Sequence, residues 1–257
     1  MHRYISGPVW FWCTKRSNRI SVFSLYRRLP PGRLSVQRNQ RAGSAVQAKS
    51  RERHGAALNG KGIREVHAIE SYTSRRRQPL TDTVALAAVK RIFRYLPDAY
   101  NNGSDLRARS EMSVAALEAG MAINNASVTL VHGLSRPIGA LFHVPHGISN
   151  AMLLERCLSF ALDGDYPAFA DLARAIGAAD AGTPDPEAAA ALIGAVNSLC
   201  KTCRVPTLAE YGINREDFFR VIDKMAEDAI ASGSPANTMK PVTREDVIRI
   251  YQSLWEA

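Results

Sequence analysis

The chain has 257 residues, 46% hydrophobic and 22% charged, which suits one large soluble domain or two small ones. Its net charge of +9 is unevenly placed: residues 1–66 hold 14 Lys/Arg against 2 Asp/Glu, and the remainder is mildly acidic at 19 against 22. A nucleic-acid function drawn from the overall charge would therefore rest on the head of the chain alone, and no apolar run approaches the roughly 18–20 residues needed to span a bilayer.

Residues 1–62 do not read as a fold. Apolar residues are scattered there without a sustained period of 2 or 3.6. Three readings stand: a disordered basic arm, an organellar transit peptide rich in Arg and Ser, or a stretch of unrelated sequence joined to a real domain. From Ile63 the character changes. Val66, Ile69 and Tyr72 have helical spacing, and the same segment carries His67 and Glu70. Glu70 follows His67 by three residues on the same side of that helix. The plainer reading of Glu70, a solvated carboxylate on a helix face, is favoured at this stage.

Thr81 or Asp82 is the expected cap of a second helix, which Leu86, Val89, Phe93 and Leu96 mark as amphipathic and Pro97 is expected to end. A third helix is expected from Leu106 to about Ile123. Its alanines and small residues between Ala115 and Ala126 suit a buried central helix. Next comes LVHGLSRPIGALFHVPHG, residues 130–147, with His132, His143 and His146 in an otherwise apolar setting. Imidazoles in apolar surroundings are costly without partners. Either backbone carbonyls satisfy them, or a metal does, since neutral imidazole is a common ligand for Zn and Fe. Pro137 and Pro145 limit how far any helix can run through this stretch. Arg136 lies four residues after His132, one helical turn on, where it would hold an anion or pair with a surface acid.

Further helices are expected just after His146 and at about 166–176, 186–203, 215–231 and 244–255, capped by Asp165, Asp185, Asn214 and Thr243 in the last four. No convincing strand follows residue 63. The body is expected to be an all-α domain over 63–257, preceded by an irregular or disordered basic segment over 1–62. Cys200 and Cys203 have CxxC spacing but no second pair, and two half-buried thiols are the plainer account. The patterns GxxxxGK[ST], GxGxxG after a strand, and GxSxG are all missing from the chain.

His67-Ala-Ile-Glu70-Ser-Tyr72, Gly120-Met-Ala-Ile-Asn-Asn-Ala-Ser127, Leu130-Val-His132-Gly, Pro137-Ile-Gly-Ala140, Val144-Pro-His146-Gly, Ser149-Asn-Ala-Met-Leu-Leu154 and Lys240-Pro-Val-Thr-Arg-Glu-Asp-Val247 together resemble the C-terminal helical domain of the iron-containing (group III) alcohol dehydrogenases. The likeness covers about residues 63–257. It implies an NAD(P)-dependent oxidoreductase acting on a small alcohol or aldehyde, cytoplasmic unless the basic head is a transit peptide. The implied metal is Fe(2+), or Zn(2+) or another divalent ion. The implied ligands are His67, His132 and His146, with Arg136 and His143 lining the cavity. No nucleic acid or membrane is implied as partner, and a homo-oligomer is compatible with the family.

Ile63 stands where that family places its aspartate ligand, and the family's nucleotide-binding α/β domain has no counterpart here. The likeness ends abruptly near Val66, inside a helix. The expectation is therefore a dehydrogenase fragment fused to unrelated sequence, impaired or inactive by itself. The alternative is a non-catalytic helical metal-binding or interaction module.

Overall fold

The computed structural model describes residues 66–256. Within them the chain is helical, and the one β-type contact is an isolated antiparallel bridge between Ser74 and Thr238. The helices are α1 (66–72), α2 (Pro79–Asn101), α3 (Leu106–Asn125), α4 (Leu130–Phe142), α5 (His146–Ala161), α6 (Tyr166–Ala175), α7 (Asp185–Thr202), α8 (Leu208–Tyr211), α9 (Arg215–Ala231) and α10 (Arg244–Ser253). The all-α expectation for the body therefore holds over the described residues. The boundary at residue 63 and Ile63 itself lie outside them.

The helix starts follow local chemistry. A helix leaves its first N–H groups without partners, and short polar side chains fill them. Asp105, Asp165 and Asn214 accept from Ala108, Ala168 and Asp217 N–H groups at 2.9, 3.3 and 3.0 Å. Thr243 and Asp246 form a reciprocal pair at the start of α10, as Thr207 and Glu210 do at α8. The short α8 was not anticipated.

Two starts and two prolines differ from expectation. α2 begins at Pro79, with Gln78 as cap and Thr81 in the first turn returning Oγ1 to the Gln78 N–H at 2.8 Å. Asp185 is the first residue of α7, not its cap, and it pairs with Arg174 at 2.6 Å. Pro97 and Pro137 both sit inside their helices. Each removes one backbone donor, but Leu96 and Ala99 on one side, and Leu134 and Ile138 on the other, are buried and hold the helix through the defect.

α4 and α5 form the centre. α4 packs on α5 and α9, and α5 also packs on α7 and α10. α2 with α3, and α6 with α7, make helical hairpins around them. α3 is not the central helix that its alanines suggested. Ala115, Ala119 and Ala122 let it lie close on α2, while Leu106, Val114, Leu117 and Met121 on its other face are exposed. Among the described residues no single helix is long and apolar enough to cross a membrane; α3 and α4 meet that test only jointly, across a 102° bend.

Two features fix α1 against α4. The segment 234–240 crosses both: Arg75 N–H donates to the Asn237 carbonyl at 2.8 Å, and Arg75 Nε donates to the Thr238 carbonyl at 2.6 Å. Pro235 in the same segment rests on Gly133, where a Cβ would come within 2.7 Å of the proline ring. The residue after His132 must therefore be glycine for this strap to close. From the other side, Tyr251 Oη donates to the Leu134 carbonyl at 2.8 Å and ties α10 to α4. Phe142, Tyr251 and Trp255 surround the Phe218 ring at 5.5–5.8 Å between centroids.

Candidate metal centre

Three elements bring the candidate residues together. α1 supplies His67 and Glu70 from one face, α4 supplies His132 from its first turn, and α5 supplies His146 and Asn150, one turn apart. The His67 and His132 rings stack at 4.9 Å between centroids, and His132 and His146 meet edge-on at 5.1 Å. The three histidines expected to act together thus lie side by side.

Glu70 is the feature that the sequence reading misjudged. It is not a solvated carboxylate but completely buried. Its Oε1 accepts from Thr129 Oγ1 and the Val131 N–H, both at 2.8 Å, and from the His132 N–H at 3.3 Å. These are the free donors at the N-terminus of α4, a natural seat for a carboxylate. Its Oε2 accepts from His132 Nδ1 at 2.5 Å. Burial opposes ionisation of Glu70, but the facing His132 and the hydrogen bonds from His132 and Thr129 outweigh it and hold the carboxyl below its usual range. The proton on His132 is thereby fixed at Nδ1, which leaves Nε2 as a lone pair facing the other histidines.

That lone pair meets Asn150. The amide Nδ2 lies 3.3 Å from His132 Nε2 and 3.2 Å from His146 Nε2, so both imidazole nitrogens aim at one small region. The environment keeps the outer rings neutral. Burial, then the neighbouring His132, lowers His67 to about 3, with Glu70 opposing and His146 adding to the fall. His146 is exposed along one edge, yet desolvation of its inner side lowers it as well, helped by His132 and Arg136. Neutral imidazoles with inward lone pairs are the protonation state that a metal requires. Among the described residues no group of three His, Cys, Asp or Glu side chains is placed to hold a metal ion as it stands: the His132 and His146 nitrogens converge, and His67 stands stacked on His132 beside them.

Arg136 is exposed and donates to Ser234 Oγ at 2.9 Å. It reaches the site through its charge on His146. His143 is exposed at the end of α4, in a left-handed conformation with φ of 53°. Cys200 and Cys203, at the end of α7, form no disulfide; Cys203 is buried and Cys200 partly so. Sequence reasoning missed the roles of Glu70, Thr129 and Asn150. Its available signals were the three-residue step from His67 to Glu70 and the four-residue step from His146 to Asn150.

Residues 65–255 match the model of the C-terminal region of the Fe-containing alcohol dehydrogenase family. A 1,3-propanediol dehydrogenase of Klebsiella pneumoniae is 34% identical over 187 residues, covering 72% of this chain and 47% of that protein. An NADPH-dependent butanol dehydrogenase of Clostridium saccharobutylicum is 32% identical over 190 residues, covering 74% and 48%. The crystal structure of a 1,3-propanediol oxidoreductase superposes with a TM-score of 0.73 at 32% identity, over 77% of this chain and 51% of that one. The chain thus spans about half the length of the relatives it matches. On sequence and fold together, this chain belongs to the Fe-containing alcohol dehydrogenase family.

Proposed function

We propose that this chain carries the metal-holding half of an NAD(P)-dependent alcohol dehydrogenase, with His67, His132 and His146 as ligands of one divalent cation. Fe(2+) is the family's metal, and Zn(2+) or another divalent ion suits the same nitrogens. The observation that carries this reading is the Glu70–His132 pair: a fully buried carboxylate seated on the N-terminus of α4 serves to hold one imidazole in the ligating tautomer. When bound, the cation supplies Lewis acidity toward the oxygen of a small alcohol or aldehyde.

The protein's own residues do the rest. Glu70 keeps a proton on His132 Nδ1 and so keeps Nε2 free. Burial of Glu70, Thr129 and His132 excludes water from the back of the site. Low proton affinity at His67 and His146 prevents protons from competing for the nitrogens at neutral pH. The hydride partner, NAD or NADP, enters through the family. Among the described residues there is no strand–loop–helix unit to hold it. We assign it to the cytoplasm on the same family basis.

Calorimetric titration of the full chain with Zn(2+) tests the ligand assignment. One cation should bind, and His67→Ala, His132→Ala and His146→Ala should each weaken it by about tenfold or more. Unchanged binding in all three variants would overturn the assignment. A second reading is a helical metal-binding module without turnover. Metal binding without quenching in an NAD(P)H fluorescence titration is its expected signature.

A further inference from the structure

Asn150 is not among the ligands proposed above, and its surroundings point to a further role. It is completely buried in the first turns of α5. One end of its amide faces His132 Nε2 at 3.3 Å and His146 Nε2 at 3.2 Å. The other end, Oδ1, is buried without a hydrogen-bond partner. The two ends of an amide have nearly the same shape but opposite chemistry, one donating and one accepting. Turning the side chain over would leave Nδ2 where Oδ1 now lacks a partner. With Nδ2 inward the amide donates to both imidazole acceptors while Oδ1 goes without a partner, so this orientation is held only as long as both Nε2 lone pairs stay free.

We propose that Asn150 turns over when a divalent cation binds, and that its Oδ1 becomes the oxygen ligand beside His67, His132 and His146. This inference rests on the three-histidine reading above. Two further observations support it. The first is distance. Around a tetrahedral cation with bonds of about 2.0–2.1 Å, neighbouring donor atoms lie about 3.3–3.4 Å apart. The inner end of the Asn150 amide already sits at 3.2–3.3 Å from both imidazole nitrogens, so it holds a ligand's place with little movement of α4 or α5.

The second is supply. Both oxygens of Glu70 are taken, Oε1 by Thr129 Oγ1 and two N–H groups of α4, and Oε2 by His132 Nδ1. Among the described residues no group of three His, Cys, Asp or Glu side chains is placed to hold a cation by itself, so a further donor is needed. The Asn150 amide is the polar group already at the point where the imidazole lone pairs converge, with Nδ2 inward and Oδ1 brought there by the turn. Amide oxygens are accepted ligands for hard divalent cations. Ligation would give the amide oxygen a partner and leave Nδ2 in the place where Oδ1 now has none.

The test is a Co(2+) titration of the full chain, followed by visible absorption, for the unmutated protein, Asn150→Ala and Asn150→Asp. Circular dichroism checks each fold. Asn150→Ala should bind Co(2+) about tenfold more weakly and change the ligand-field bands, because one donor is gone. Asn150→Asp should bind about tenfold more tightly, because a charged oxygen replaces a neutral one at the same place. Affinity and spectra unchanged in both variants would overturn the inference while leaving the histidines in place. Equal losses in two folded variants would overturn it too, since aspartate retains the oxygen. No Co(2+) binding to the unmutated chain would overturn the three-histidine reading itself. If a variant does not fold, the unmutated chain decides: one equivalent of Zn(2+) must move the Asn150 side-chain NH2 resonances, and their staying in place refutes ligation.

Discussion

Replacing Glu70 by glutamine changes one oxygen to an NH2 and should rearrange the proton on a histidine 2.5 Å away. Four donors converge on Glu70: Thr129 Oγ1, the N–H groups of Val131 and His132, and His132 Nδ1. Three of them share Oε1, so the single oxygen of glutamine will remain there. Its NH2 must then face His132 Nδ1, and two donors cannot share that contact. The imidazole resolves the conflict by moving its proton to Nε2, so that Nδ1 can accept. The alternative, a buried donor left unpaired, costs about 1–3 kcal/mol.

The same shift removes the Nε2 lone pair from the place where His146 and Asn150 converge with it. Glu70→Gln should therefore fold, lose about 1–3 kcal/mol in urea unfolding, and bind Zn(2+) some 10–100-fold more weakly. Long-range 1H–15N correlation spectra report the imidazole tautomer directly. The proton of His132 should sit on Nδ1 in the parent and on Nε2 in the variant. If His132 stays protonated at Nδ1 and metal affinity is unchanged, Glu70 does not position His132.

The pH dependence of the metal-free chain follows from His67. Its value in the fold, about 3, lies below the free value of 6.5, so the unfolded chain takes up the proton first. The stability that comes from keeping His67 neutral is full above about pH 6.5 and is lost as pH falls toward 3. The loss is of order 2–4 kcal/mol after allowing for partial solvent screening. Urea midpoints should drop through that window, and His67→Ala should flatten the drop. Gly164→Ala should destabilise by about 1–3 kcal/mol, because its Cβ would come within 2.6 Å of the Lys240 backbone nitrogen in the segment that straps α1 to α4. A variant as stable as its parent would show that the strap yields freely. Tyr251→Phe removes the bond to the Leu134 carbonyl and should cost about 1–2 kcal/mol in thermal unfolding, with metal affinity little changed.

Much of the fold could be read from local signals, because helices declare themselves through period and caps. α9 at Arg215–Ala231 begins at its expected Asn214 cap, and α10 at its expected Thr243 cap. The errors came where tertiary packing overrode local chemistry. Pro97 does not end α2, and the exposed Val114, Leu117 and Met121 place α3 at the periphery although its alanines suggest the centre. The site divides the same way. The three histidines were visible as residue types in an unusual setting and through the family likeness. Glu70 looked like any surface carboxylate, because nothing near it in sequence reveals the four donors that meet it from Thr129, Val131 and His132. Asn150 gave no chemical signal of its own; its meaning depends on the α4–α5 packing that brings it between two imidazoles.

X-ray absorption of the Zn(2+)-loaded chain tests the central claim most directly. Its fine structure distinguishes imidazole rings from other light-atom ligands by their outer-shell scattering. Three imidazoles on one cation, falling to two in His132→Ala, is the result predicted. Cation bound with one imidazole or none, or a count that His132→Ala leaves unchanged, would contradict convergence of His67, His132 and His146 on a single metal.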